Sequence, residues 1–170
     1  IDYVKKKYKL SKVVKLASNE NPVGPSKMAL NVLKKSQENI NRYPDGKCDA
    51  LKQEIVKFIS KSHVRTKNII VGNGSSEILE LVAKAFLTKQ SEALFSQHSF
   101  IVYKLVSNFM NAKVQESKLI TKAGKNYMSS DLVDMKNRIT SKTKVIFLPN
   151  PANPTGTLLS HDVIDKFISK

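Results

Sequence analysis

Short apolar runs alternate with amphipathic stretches along most of the chain, separated by turns rich in Gly, Asn and Pro. Ile69-Ile70-Val71 is β-branched and ends at Gly72-Asn73-Gly74; apolar residues then recur at Ile78, Leu79, Leu81, Val82, Ala85 and Phe86. That succession predicts a strand, a tight turn and a helix running to about Leu87. Ala93 to Phe95 predicts a further strand, Gln97 to Phe100 a turn, and Val102, Leu105, Val106 and Phe109 one face of a helix. Ala112 to Leu119 alternates as a strand does, and Thr121 to Tyr127 is a polar excursion. Ser129 to Ile139 predicts a capped helix with Leu132, Val133 and Met135 inward, and Lys144 to Leu148 a buried strand. Pro149 to Gly156 is a loop, and Ser160 opens a last helix.

Upstream, residues 1–18 read as an extended, Lys-rich arm, and Asn19 to Ser26 as a turn-dense loop. Ser26 is placed to cap a helix with Met28, Ala29, Val32 and Leu33 at helical spacing. Asn41 to Gly46 is a second loop, followed by a helix from Asp49 to Ser62 with Leu51, Ile55, Phe58 and Ile59 on one face. The repeated strand–helix alternation gives the fold class: α/β, a mostly parallel sheet flanked by helices. Ligands in such sheets bind beyond the C-terminal strand ends. The turns after Val71, Ser96 and Leu148 are therefore expected along one edge.

Composition narrows the function classes. Hydrophobic residues at 41% and charged residues at 25% suit a folded core. No apolar run approaches the roughly 20 residues that span a bilayer, so no membrane partner is expected. The single cysteine, Cys48, excludes an internal disulfide and fits a reducing, cytoplasmic setting. His63, His98 and His161 are scattered, without metal-ligand spacing. The net charge of +15, from 29 Lys+Arg against 14 Asp+Glu, raises a nucleic-acid partner. Nearly all of that charge is lysine without interleaved aromatics, which reads as solvated faces, and no nucleic acid is expected. The chain begins at Ile1 without Met, and Lys170 falls inside the last predicted helix; both ends read as cut, hence the expectation of a fragment.

The chemistry begins at Gly72–Glu77. A helix N-terminus with unpaired N–H groups attracts an anion, and glycines allow close approach. Ser75 or Ser76 is placed to cap the helix or donate to a phosphate. Gly72-x-Gly74 starts a dinucleotide fingerprint, but Glu77 stands where its third glycine belongs, and no Gly-Lys-Ser/Thr follows for a P-loop. A single phosphate remains. In Asn150-Pro151-Ala152-Asn153-Pro154-Thr155-Gly156, prolines restrict the backbone and hold the amides in place, for turn geometry alone or for a ligand oxyanion. Phe100 is a core residue or a stacking platform, and Tyr43 a loop tyrosine or a phosphate contact.

Five segments in order carry a resemblance: Ala17-Ser18-Asn19-Glu20-Asn21-Pro22-x-Gly24-Pro25-Ser26, Tyr43-Pro44-Asp45-Gly46, Gly72–Glu77, Phe95-Ser96-Gln97-His98-Ser99-Phe100-x-x-Tyr103, and Asn150 to Gly156. Together they resemble the fold-type I pyridoxal-phosphate aminotransferases, most closely the histidinol-phosphate aminotransferase family. The resemblance implies pyridoxal 5'-phosphate as cofactor. Its phosphate would be held at Gly74, Ser75 and Ser76, its ring stacked by Phe100, and its phenolic oxygen bonded by Asn153. Tyr43 would reach the phosphate in the neighbouring subunit of a homodimer, and Asn19, Glu20 and Asn21 would lie near the substrate.

The resemblance also implies that residues 1–40 form an N-terminal arm and first helix, and 41–170 the start of an incomplete cofactor-binding large domain. The family's Schiff-base lysine, and the Asp that pairs the pyridine nitrogen, are expected beyond Lys170. No catalytic residue is therefore assigned in this chain, which alone is expected to be inactive. The implied reaction is reversible amino transfer between histidinol phosphate and 2-oxoglutarate, in histidine biosynthesis. Ser76 and His98 depart from residues common in the family, which leaves open another family I aminotransferase for aromatic or aspartate-like substrates, or a related decarboxylase. A dinucleotide-binding oxidoreductase fragment and a basic binding module are the readings from other classes.

Overall fold

The structure is a computed structural model and describes residues 1–59 and 63–169. The chain divides into two units, Ile1–Asp49 and Ala50–Lys170.

In the first unit, α1 (Asp2–Tyr8) replaces the extended arm predicted for the first residues. The reason is local. Asp2 lies in the first turn and Lys5, Lys6 and Lys7 in the last, each opposing the helix dipole, and Lys9 ends the helix in a left-handed conformation. None of its residues is buried. Helix α2 (Lys27–Ser36) starts as predicted, with Ser26 Oγ accepting from the Ala29 N–H at 3.1 Å. Its apolar stripe meets no core in this unit; Met28, Val32 and Leu33 are all exposed.

The first unit ends in the Asp45 turn, whose carboxylate accepts from the N–H groups of Lys47 and Asp49 at 3.0 and 2.9 Å, and α3 (Asp49–Ile59) runs on into the second unit. The predicted end of this helix at Ser62 lies outside the described residues. Phe58, predicted inward, is exposed. Ile69–Val71 is extended but forms no strand, against expectation. A β-branched run becomes a strand only where a neighbour completes its ladder, and Ile70 stands exposed.

Helix α4 (Gly74–Phe86) leads to β1 (Glu92–Ser96), α5 (Val102–Phe109), β2 (Lys113–Ser117), α6 (Leu132–Asn137), β3 (Thr143–Phe147) and α7 (His161–Ile168). The strands form a parallel sheet in the order β2-β1-β3, as the alternation predicted. β1 is central, and all five of its residues are buried. Its two-residue period sends Ala93 and Phe95 to one face, beside Val145 and Phe147 of β3. Ala83 of α4, its C-cap Leu87, and Tyr103 and Val106 of α5 complete that core. Leu94 points to the other face, where α6 packs on β1 and β2 and Met135 is fully buried.

Helix α6 is shorter than predicted. Ser130 instead bridges Leu119, and Asp131 caps the helix with one oxygen accepting from the N–H groups of Val133 and Asp134 at 3.0 Å each. Val133, predicted inward, is 72% exposed, because six residues can turn only a narrow stripe to the sheet.

At the start of β1, Glu92 is buried but paired: Thr140 Oγ1 donates to it at 2.8 Å, and Lys113 Nζ lies 3.3 Å away. The Thr140 hydrogen bond, and after it Lys113, hold the carboxyl below its usual range.

Candidate functional site

Three segments of the second unit follow extended stretches and end at the C-terminal edge of the sheet. Helix α4 delivers the chain to the start of β1, so its own N-terminus lies toward the edge where the strands finish. There Gly74 takes φ +76, a conformation that suits glycine, and Asn73 is the N-cap without a side-chain bond. The Asn73 N–H instead donates to the Glu77 carboxylate, which folds back over the turn. Gly72 leaves room for this: a Cβ there would stand 2.9 Å from Glu77 Oε2 and 2.9 Å from Ile78 Cδ1.

Ser75 and Ser76 do not cap the helix as expected. They sit inside its first turn, because the helix already begins at Gly74 with Asn73 as its N-cap. Among the described residues, their N–H groups have no backbone acceptor and their hydroxyls no partner. Both are exposed. The first turn therefore presents two N–H groups, two hydroxyls and the positive end of a 13-residue helix. That donor set fits a phosphate.

Phe100 leaves β1 through the Gln97–Ser99 turn. The Gln97 N–H donates to the Ser117 carbonyl at 2.8 Å, and His98 takes φ +55. At the end of the paired strands, Ser96 Oγ and Ser117 Oγ lie 3.2 Å apart. Phe100 is half-buried and meets Tyr103 edge to face at 5.9 Å and 86°. It also lines a cavity of about 220 Å³ with Ser96, His98, Ser99 and Lys104. Burial pushes the Tyr103 phenol above its ordinary range, so it stays neutral.

Asn153 lies in the loop after β3. Asn150 holds that loop: its amide donates to the Leu159 carbonyl at 3.0 Å and accepts from the Leu159 N–H at 2.8 Å. The Ala152 N–H donates to the Thr157 carbonyl at 2.8 Å, inside the same loop. The Asn150–Pro151 and Asn153–Pro154 peptides are cis. The Asn153 amide has no hydrogen-bond partner among the described residues and faces solvent.

In the first unit, Asn21 uses its amide within its own loop, accepting from the Val23 N–H and donating to the Gly24 carbonyl, both at 3.1 Å. Glu20 pairs with Lys15, and Asn19 takes φ +52. The Tyr43 side chain is fully exposed. The residues that sequence reasoning missed are Glu77 as the partner of the Asn73 N–H, Asn150 as a loop clamp and Tyr103 as the seat of Phe100. An acid in the first helical turn was the available signal for Glu77. The other two roles depend on contacts across the fold.

The model of the aminotransferase class I and II family matches residues 11–170. The chain belongs to that family. Among relatives, a histidinol-phosphate aminotransferase of Mannheimia succiniciproducens is 38% identical over 170 residues, covering 100% of this chain and 44% of its own length. One of Pasteurella multocida is 41% identical with the same coverage. The chain thus spans less than half the length of these curated relatives. The histidinol-phosphate aminotransferase of Sinorhizobium meliloti, solved in complex with pyridoxal-5'-phosphate, aligns with a TM-score of 0.85 over 99% of this chain and 44% of that one. At 16% identity it supports the fold alone, a parallel sheet flanked by helices.

Proposed function

We propose that this chain contributes the phosphate cradle and the ring contacts of a pyridoxal-phosphate-dependent aminotransferase acting on histidinol phosphate. The observation that carries the reading is the first turn of α4, where Ser75 and Ser76 present unpartnered N–H and hydroxyl groups. These groups bind a phosphate dianion, and Gly74 lets it approach the backbone. Phe100, exposed on one side, covers a ring face and excludes water from it. Asn153 donates its free amide N–H to a phenolic oxygen. Pyridoxal phosphate supplies the electron sink for amino transfer when bound.

Identity of 38–41% along the whole chain to proteins named histidinol-phosphate aminotransferases supports histidinol phosphate as donor. The acceptor in this reading is 2-oxoglutarate, the pathway histidine biosynthesis, and the setting cytoplasmic. Residues 41–170 belong to the cofactor-binding large domain and 1–40 to the arm and first helix. The enzyme works as a homodimer, with Tyr43 reaching the neighbouring cofactor phosphate and Asn19, Glu20 and Asn21 near the substrate. No lysine of this chain sits in a segment matching the family's cofactor-bonding lysine, so the 170 residues alone are inactive.

The full-length gene product tests this. It should bind pyridoxal phosphate and form glutamate from 2-oxoglutarate faster with histidinol phosphate than with tyrosine or aspartate. Faster turnover of tyrosine or aspartate would replace the proposed substrate. Failure to bind the cofactor would end the reading altogether.

A further inference from the structure

Four aromatic rings meet beneath the site. Tyr103 stacks on Phe147 with centroids 4.7 Å apart and planes 6° from parallel. On its other contacts it meets Phe100 edge to face at 5.9 Å and Phe95 at 6.0 Å. Tyr103, Phe147 and Phe95 are 8%, 7% and 4% exposed, so three rings are fixed in the core while Phe100 is half-buried. The backbone is tied at the same point: the Tyr103 N–H donates to the Phe100 carbonyl at 3.1 Å, and Ser107 Oγ to the Tyr103 carbonyl at 2.7 Å.

This arrangement links two loops. Phe100 closes the turn after β1, and Phe147 ends β3, three residues before the Asn150–Gly156 loop that carries Asn153. We propose that Tyr103 is a positioning residue, whose ring sets Phe100 against the end of β3 and so fixes the ring-face contact of the cofactor site relative to the Asn153 loop. The claim rests on the cofactor reading above. The Tyr103 hydroxyl makes no hydrogen bond among the described residues, so the aromatic ring itself carries the role.

The test uses the full-length protein, with pyridoxal phosphate affinity and the visible circular dichroism of the bound cofactor as readouts. Tyr103→Leu should weaken cofactor binding about three- to tenfold, the value of one or two lost aromatic contacts, and diminish the dichroic band. Tyr103→Phe should bind as the natural protein does. Met135→Ala, a truncation of a fully buried side chain on the opposite face of the sheet, should lower the melting temperature without changing either readout. In a Phe100→Ala background, Tyr103→Leu should have no further effect on affinity, because its action passes through that ring. Should Tyr103→Leu not accumulate as folded protein, Phe147→Leu unseats the same ring and should weaken the cofactor likewise.

Unchanged affinity and dichroism in Tyr103→Leu, or in Phe147→Leu where it replaces it, would overturn the proposal. So would an equal loss in Tyr103→Phe, or full additivity with Phe100→Ala. A natural protein that binds no pyridoxal phosphate would instead remove the reading on which the proposal rests.

Discussion

The Asn150 side chain closes a ten-residue loop by bonding both backbone groups of Leu159, accepting at 2.8 Å and donating at 3.0 Å. It reproduces with one amide what a strand partner would otherwise provide. The loop thereby keeps a fixed path although most of it is exposed, and Asn153 is presented from it.

Asn150→Ala deletes both bonds, and Asn150→Asp keeps only the acceptor. Net values of about 0.5–1.5 kcal/mol per hydrogen bond predict that Asn150→Ala speeds Leu159 amide exchange by about one order of magnitude or more. Asn150→Asp should retain protection of that N–H, because its acceptor remains. Equal exchange in all three proteins would mean that the prolines alone hold the loop.

Gly72 and Gly74 should fail differently when changed to alanine. At Gly72 the added Cβ displaces the ends of two flexible side chains, Glu77 and Ile78, and removes the Glu77 contact to the Asn73 N–H. The expected cost is about 1 kcal/mol, of the order of a lost helix cap. At Gly74 the new Cβ meets nothing within 4 Å, but φ +76 is strained for alanine, at about 1–2 kcal/mol. Glu77→Ala should reproduce much of the Gly72 loss and none of the Gly74 loss. Thermal unfolding of the single and double variants checks this; a Gly72→Ala loss that simply adds to that of Glu77→Ala would show that the Glu77 side chain is not what the glycine accommodates.

Acid should destabilise the second unit through two carboxylates. Glu92 is held below its usual range first by the Thr140 hydroxyl and then by Lys113, and Asp134 first by Arg138 and then by the Lys118 N–H. Asp134 Oδ2 lies 2.6 Å from Arg138 Nε and accepts from the Lys118 N–H at 2.8 Å. A carboxyl with a lowered folded value contributes stability that is present above its unfolded value, about 4, and lost as pH falls through the folded value. Unfolding measured from pH 6 to pH 2.5 should show that decline, with a shallower slope in Glu92→Gln than in the natural chain. Identical slopes would assign the acid loss to other groups.

Much of the candidate site's local backbone was legible because its signals are local. Gly74 demands a backbone that glycine takes freely, and the residues after it form the first turn of a helix whose amphipathic period is plain. Phe100 and Asn153 follow apolar runs read as strands of a parallel sheet, and β1 and β3 pair in parallel, so the two loops leave at one edge. Ser26 and Asp131 capped their helices through side chains adjacent in sequence, although only the first was anticipated. Where the reading failed, the deciding partner was distant or its absence mattered. Ile69–Val71 has the residues of a strand but pairs with no strand among the described residues, and Val133 belongs to a helix too short to bury it.

By itself the sequence determined the alternation of strands and helices, the glycine turn before α4 and the order of the motifs, since each depends on bonds and sterics within a few residues. Only the tertiary structure decided that β1 lies between β2 and β3, that Glu92 is buried against Thr140, and that Tyr103 joins Phe100 to Phe147. Those facts depend on which distant side chains share a packed volume, and hydrophobic period alone does not specify that choice.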